Sequence, residues 1–276
     1  MFTLNCKGTL LVLDKPLVMG IINVNDTSFY AASRQHSIEQ ILATAEQMLQ
    51  DGAAILDVGG QSTSPESLAV TAFEETERVV PAIKAIKEKF PQSIISVDTY
   101  FAEVAKTAVG AGADMVNDIS AGNLDTKMLE TVAALEVPYI AMHMKGLPQT
   151  MKNLAQYENI TREVLDFFIK KTDECNKVGI KDLIIDSGFG FAKNTEQNFE
   201  LMKNLSVFKM LGKPLLVGIS RKRMIYETFN TTPENALNGT TVLHTFALQN
   251  GANIIRTHDV KSAVETIVLL KKLDVI

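Results

Sequence analysis

The chain is poor in cysteine, with only Cys6 and Cys175 in 276 residues. They lie far apart in no metal-binding or redox spacing, which excludes a disulfide scaffold and leaves two bystander thiols suited to a reducing compartment. An excess of positive charge is also missing. Lys and Arg total 27 against 32 Asp and Glu, for a formal net charge of -5. Ser220-Arg221-Lys222-Arg223 is the one basic cluster, and four residues do not make a nucleic-acid-binding face. There is no apolar run long enough to span a membrane. Met1 to Pro16 is broken by Lys7, Gly8, Asp14 and Lys15, so it reads as neither a cleavable signal nor an anchor. No linker, low-complexity tract or short repeat interrupts the chain. These absences leave a cytosolic enzyme, without nucleic-acid or membrane partners, as the expectation.

What is present is a rhythm. Eight times an apolar, β-branched run ends in a polar or glycine-rich cluster and is followed by a helix-like stretch. The runs are Val18–Val24, Ala53–Gly60, Ser93–Thr99, Met115–Ser120, Pro138–Met144, Asp182–Gly190, Pro214–Ser220 and Asn253–Val260. Continuous apolar strands imply burial on both faces, and intervening helices imply parallel connection. The pattern predicts one α/β domain, a (β/α)8 TIM barrel, and the length suits a single such barrel. Helical stripes are expected over Ser37–Gln50, with Ser37 as N-cap, and over Phe73–Lys89, Phe101–Ala111, Asp125–Leu135, Ile160–Val178, Thr195–Leu211, Pro233–Gln249 and Lys261–Leu273. Gly52, Gly112, Gly179, Gly212 and Gly251 follow five of these stripes, where a left-handed C-cap is needed. Residues 1–16 form an N-terminal extension that fits a hairpin closing the barrel floor, and 17–276 form the barrel itself.

The trailing ends of the runs hold nearly all the reactive side chains: Asn23, Asp57, Asp98, Asn117 with Asp118, His143 with Lys145, Asp186, Ser220 with Arg221 and Lys222, and Arg256 with His258 and Asp259. In a parallel barrel these ends open on one face, so residues far apart in sequence converge in one bowl. Asp98, Asn117 and Asp186 suit a flat heterocycle with a donor-rich edge, since a carboxylate receives two parallel hydrogen bonds from an amino-pyrimidine. Asn23, Arg256 and His258 come from the first and last strands, neighbours once the barrel closes, and together suit a phosphate or pyrophosphate with its magnesium. Ser220, Arg221 and Lys222 mark a further anion site near strand seven.

Plainer roles compete. Asp57 and Asp118 serve equally well as helix caps, Met144 as strand packing, and His36 and His244 as surface or packing residues. Gly188-Phe189-Gly190 reads as a tight turn rather than a nucleotide fingerprint. Asp98, His143, Asp186 and His258 also make a conceivable metal set, although no His-x-His pair follows the first strand, so a metal-dependent hydrolase stands as the distant alternative.

Taken in order, Met19-Gly20-Ile21-Ile22-Asn23-Val24, Asp57 to Thr63, Ser96-Val97-Asp98-Thr99, Asn117-Asp118-Ile119-Ser120, Met142 to Gly146, Asp186 with Gly188-Phe189-Gly190-Phe191, Ser220-Arg221-Lys222 and Arg256-Thr257-His258-Asp259 resemble the dihydropteroate synthases. The resemblance spans residues 17–262. It implies a TIM barrel that joins 6-hydroxymethyl-dihydropterin pyrophosphate to p-aminobenzoate, releases pyrophosphate, and is a target of sulfonamides. By position it implies that Asp98, Asn117, Asp186 and Lys222 grip the pterin. It implies that Asn23, Arg256 and His258 hold the pyrophosphate, with Mg2+ at Asn23, and that Thr63, Ser64, Pro65 and Ser220 contact aminobenzoate. Lys222, Arg256, His258 and Asp98 would carry the chemistry, in a homodimer.

The departures from the family pattern are concentrated. Thr27 stands where the family usually has an aspartate and Ser64 where it usually has an arginine, with Ser187 in place of a common proline and Arg223 in place of a common serine. Asp26 lies one position before the lost carboxylate. A pterin-binding paralogue with little condensation activity, or a pterin-dependent methyltransferase module, therefore stands beside the synthase reading.

Overall fold

The structure is a computed structural model that describes residues 1–24, 31–61, 70–147 and 150–276, with backbone alone at 31–36 and 152. Two antiparallel strands, β1 (Phe2–Cys6) and β2 (Thr9–Leu13), make a hairpin. Eight parallel strands then close on themselves: β3 (Leu17–Asn23), β4 (Ile55–Gly59), β5 (Ile94–Asp98), β6 (Met115–Asp118), β7 (Tyr139–Met142), β8 (Leu183–Asp186), β9 (Leu215–Val217) and β10 (Ile254–Thr257), with β10 pairing back onto β3. This is a TIM barrel.

Helices α1 (Ala31–Gln50), α2 (Ala72–Lys89), α3 (Ala102–Ala111), α4 (Met128–Leu135), α5 (Ile160–Val178), α6 (Thr195–Lys203), α7 (Arg223–Thr228), α8 (Leu237–Gln249) and α9 (Val260–Lys272) surround it. Their starts follow local chemistry. Thr71 and Glu74 form a reciprocal capping box at α2, Asn194 and Gln197 do the same at α6, and Asn159 accepts the Arg162 N–H at α5. All five glycines expected after helices have positive φ.

The main core lies between barrel and helices, where strand residues such as Val58, Val97 and Ile185 meet Ile83, Phe168 and Phe208. A second cluster fills the barrel's lower interior. There Met19, Ile55, Met115, Ile140, Ile184, Leu216 and Ile254 pack against Leu4, Cys6 and Leu13 of the hairpin. The hairpin thus seals the end of the barrel opposite the strand C-termini, and the Asn5 N–H donates to Asp182 Oδ2 at 2.8 Å to fasten it. Both cysteines are buried and free.

Several expected boundaries move. Ser37 is no cap, because α1 begins at Ala31: residues 31–36 carry helix-compatible side chains but lie outside the apolar stripe that periodicity detects. The Asp125–Leu135 stripe becomes helical only at Met128, since the Asp125 carboxylate turns back to accept the Ala102 and Lys127 N–H groups. The Thr195–Leu211 stripe splits into α6 and a 3-10 segment, Leu205–Leu211. Pro233 opens a 3-10 turn before α8 rather than α8 itself. Helix α7 has too few residues for a stripe and was not expected. The strands are shorter than the apolar runs because their trailing ends turn outward. Gly188, for example, has φ 70° and packs so close to the His143 carbonyl that a Cβ would sit 2.1 Å from its oxygen.

Candidate active site

The C-terminal ends of the barrel strands bring Asp57 (β4), Asp98 (β5), Asn117 (β6), Asp186 (β8) and Arg256 (β10) into one buried polar cluster. Arg256 is its hub. Its Nε donates to Asp57 Oδ2 at 2.6 Å and its Nη2 to Asp98 Oδ2 at 2.6 Å, while Asn117 Nδ2 donates to the same Asp57 oxygen at 3.0 Å. Asp57, fully buried, is therefore an anchor for the guanidinium and not a helix cap, and its Oδ1 has no hydrogen-bond partner among the described residues. Asp118 is engaged elsewhere. Its Oδ1 accepts the Ser120 N–H and hydroxyl, and its Oδ2 accepts the Gly122 N–H and the Tyr139 hydroxyl, each at 2.7 Å, so it shapes the turn after β6.

Crowding acidic and basic groups in a dry space shifts several of them. Burial pushes the Asp98 carboxyl up to about 7, with Arg256 opposing and Asp57, Asp118 and Asp186 adding to the rise. Asp186 is raised for the same reason, and the Gly188 N–H at 2.8 Å and the Lys222 charge pull it back. Burial lowers the Lys222 ammonium to about 8 against the pull of Asp186. For Arg256 burial is outweighed by Asp57 and Asp98, and the guanidinium holds its proton more tightly than usual.

Lys222 follows β9, donates to the Phe189 carbonyl oxygen, and sits 4.4 Å from the Phe191 ring centroid. Ser220 Oγ lies 3.2 Å from His258 Nδ1 and accepts the His258 N–H at 3.3 Å. Burial lowers the His258 imidazole, with Arg256 acting in the same direction. A cavity of about 910 Å3 opens beside this end of the cluster, walled by Phe191, Lys222, Arg223, Tyr226 and His258 among others. A buried apolar lip of Ile119, Met142, Met144, Met151 and Phe191 flanks it, so Met144 is packing. Asn23 lies exposed at the end of β3, opposite Gly59 of β4, and makes no hydrogen bond among the described residues.

Comparison with known proteins agrees with this constellation. The pterin binding enzyme family matches residues 19–258. Dihydropteroate synthase of Haemophilus influenzae is 40% identical over 250 residues, 90% of each chain. A Xanthomonas albilineans dihydropteroate synthase solved with 4-aminobenzoic acid superposes with a TM-score of 0.91 at 37% identity, covering 99% of this chain and 98% of that one. The same enzyme solved with 7,8-dihydropteroate gives 0.87 at 35% identity, with 99% of both chains covered. The chain belongs to the dihydropteroate synthase family. It is a TIM-barrel transferase of folate synthesis.

Against that family background, the structure separates the expected site residues into groups. Asp98, Asn117, Asp186, Lys222 and Arg256 come together, with Ser220 and His258 adjoining. Arg256 bonds the carboxylates of Asp57 and Asp98, and Asn23 lies exposed at the end of β3. Thr63, Ser64 and Pro65, together with Asp26 and Thr27, lie outside the described residues. Three strand-end residues serve the scaffold. Lys145 binds Glu163 and the Gln156 carbonyl, while Arg221 and Asp259 form a two-pronged ion pair at 2.8 and 2.7 Å. The alternative metal set does not assemble. His143 is turned into the interior with Nδ1 3.0 Å from Lys193 Nζ, and no group of three or more His, Cys, Asp or Glu fit to hold a metal occurs among the described residues. Sequence reasoning missed Lys193 altogether, because a lone lysine just before a helix reads as a solvated residue. His244, left open between surface and packing, is buried, and its Nε2 has no hydrogen-bond partner among the described residues.

Proposed function

We propose that this protein condenses 6-hydroxymethyl-7,8-dihydropterin pyrophosphate with p-aminobenzoate to give 7,8-dihydropteroate and pyrophosphate. The observation that carries the reading is the buried cluster of Asp98, Asn117, Asp186 and Lys222 at the strand ends, in a chain whose structural relatives are solved with aminobenzoate and with dihydropteroate. Asp98 and Asp186 accept the N–H donors of the pterin edge, Asn117 adds an amide, and Lys222 lies over the ring beside Phe191. When the pterin's donors take Asp98, Arg256 is freed to swing toward the departing pyrophosphate with His258 and Asn23. Thr63, Ser64, Pro65 and Ser220 complete the aminobenzoate end.

The C–O bond between the pterin methylene and the pyrophosphate breaks as the arylamine nitrogen forms the new C–N bond and gives up a proton. Cations around the leaving group stabilise its charge, and the acidic wall stabilises the electron-poor methylene. The arylamine needs orientation more than a base, so positioning supplies much of the rate. Asn23 fits magnesium as one neutral oxygen ligand to an ion carried mainly by pyrophosphate and water. Bound there, magnesium would neutralise leaving-group charge.

Residues 1–16 act as an extension under the catalytic barrel of residues 17–276. No helix among the described residues is long and apolar enough to cross a membrane, and we place the enzyme in the cytoplasm. Val242 and Phe246 on α8 and Val268 and Leu269 on α9, with Leu273 just past its end, are exposed apolar residues on packed neighbouring helices, which supports a homodimer through that face. The deciding assay incubates purified protein with pterin pyrophosphate, aminobenzoate and magnesium, then measures dihydropteroate and pyrophosphate. Equimolar release supports the reading. Pterin binding with no product would leave a pterin-binding paralogue.

A further inference from the structure

The loop between β8 and α6 is held from inside by one lysine. Lys193 is buried, and its Nζ lies 2.9 Å from the carbonyl oxygen of Gly188, 3.0 Å from that of Phe191 and 3.3 Å from that of His143, with His143 Nδ1 at 3.0 Å. Three carbonyl oxygens match the three hydrogens of an ammonium, and the imidazole nitrogen shares one of them. Burial, reinforced by the Lys193 charge, drives the His143 imidazole down to about 2, so the ring is neutral and offers Nδ1 as an acceptor. Burial pulls the Lys193 ammonium well below its ordinary value, with Asp186 opposing, while three carbonyl oxygens, which can only accept, favour the charged form. Burying an ammonium is costly unless every hydrogen is bonded, so a lysine in this place implies a role that an apolar side chain does not fill.

The acceptors come from two separate pieces of chain, the end of β7 and the loop 187–192. What that loop gives the site hangs on this clamp. The Gly188 N–H donates to Asp186 Oδ1, the Phe189 carbonyl accepts from Lys222, and the Phe191 ring lies against the Lys222 ammonium. Asn198 steadies the far side, its Oδ1 accepting the Gly190 N–H at 2.8 Å. Lys193 therefore touches the partners of Asp186 and Lys222 and neither residue directly. Loops bearing binding residues are otherwise the most mobile part of a barrel, and holding them in place before the ligand arrives raises affinity by sparing the cost of ordering.

We propose that Lys193 is the positioning residue of the pterin pocket, its ammonium pinning loop 187–192 to the end of β7 and so holding Asp186 and Lys222 in the geometry that reads the pterin edge. The inference rests on the pterin-binding reading above. The test is calorimetric titration of Lys193→Met and of the parent protein with 6-hydroxymethyl-7,8-dihydropterin pyrophosphate in magnesium buffer. The expected result is one site per chain in both, with Kd raised at least about tenfold in the variant, as loss of charge-assisted hydrogen bonds predicts. A residue needed only for folding would lower the number of competent sites and leave Kd unchanged, and that result overturns the proposal, as does an unchanged Kd at full occupancy. His143→Leu removes one acceptor and spares the lysine, so it answers the question even where Lys193→Met does not fold. A rise in Kd of about threefold is expected there, and an unchanged value counts against the clamp. Failure of the parent protein to bind the pterin would instead defeat the functional reading itself.

Discussion

Asp186→Asn should weaken pterin binding and strengthen the fold at the same time. Asp186 is 6% exposed, and one of its oxygens is committed to the Gly188 N–H at 2.8 Å. The other, Oδ2, faces Gly218, where a Cβ would still be 3.8 Å away, so a ligand edge has room to reach it. The asparagine oxygen can keep the Gly188 bond, but its amide then presents hydrogens to the pterin's own donors. Losing a charged hydrogen bond costs about 1.5–3 kcal/mol, which converts to an affinity about 10- to 150-fold weaker. The stability change runs the other way. Burial raises the Asp186 carboxyl above its ordinary 3.8. A carboxyl whose folded pKa exceeds its unfolded one binds its proton more tightly in the fold, so ionisation penalises the fold. That penalty is absent below 3.8, is already growing at neutral pH, and is complete once pH passes the raised value. The neutral asparagine escapes it, and thermal unfolding at neutral pH should move to higher temperature. Calorimetry with a pterin ligand and a melting curve on the same sample check both signs. Unchanged affinity would refute Asp186 as a pterin contact, and a lower melting temperature would refute the account of its burial.

Three further outcomes follow from the site and its surroundings. Pterin binding should strengthen as pH rises toward about 7, where Asp98 ionises, and weaken above about 8, where Lys222 loses its proton. A kcat/KM profile should show both limbs, and Lys222→Met should erase the alkaline one. Thr27 and Ser64 should leave pterin affinity near normal but raise the KM for aminobenzoate by roughly 10–100-fold, with weakened sulfonamide inhibition. Restoring Thr27→Asp with Ser64→Arg should lower that KM more than either change alone, and steady-state kinetics of the three variants decide it. Val242→Glu with Leu269→Glu places charge on side chains that are 58% and 64% exposed. Sedimentation should show the parent as a dimer and the double variant at half its mass, with the melting temperature little changed.

How much of this was legible in the chain follows from what periodicity can and cannot carry. The barrel and the convergence of Asp98, Asn117, Asp186, Lys222 and Arg256 were readable, because each sits where an apolar run gives way to a polar cluster and the barrel turns that local event into a shared location. The role of Asp57 was not. A strand-end aspartate looks alike in sequence whether it caps a helix or receives a guanidinium from a residue 199 positions away. Helix α7 escaped because six residues make no stripe, and Ser37 was misread because a helix can begin before its buried face does. Lys193 was invisible for a deeper reason. Three of its four partners are carbonyl oxygens, and backbone atoms leave no signature in the identity of the residues that bear them.

The hairpin under the barrel has a kinetic meaning. With Leu4, Cys6 and Leu13 plugging the floor, the reaction chamber is a blind well with one mouth. If the pterin binds at the buried cluster of Asp98 and Asp186, as proposed, the arylamine reaches it from the open side and, once seated, stands over the pterin like a stopper. Traffic is then last in, first out: the pterin pyrophosphate must enter before its partner, and an arylamine that arrives early blocks the queue.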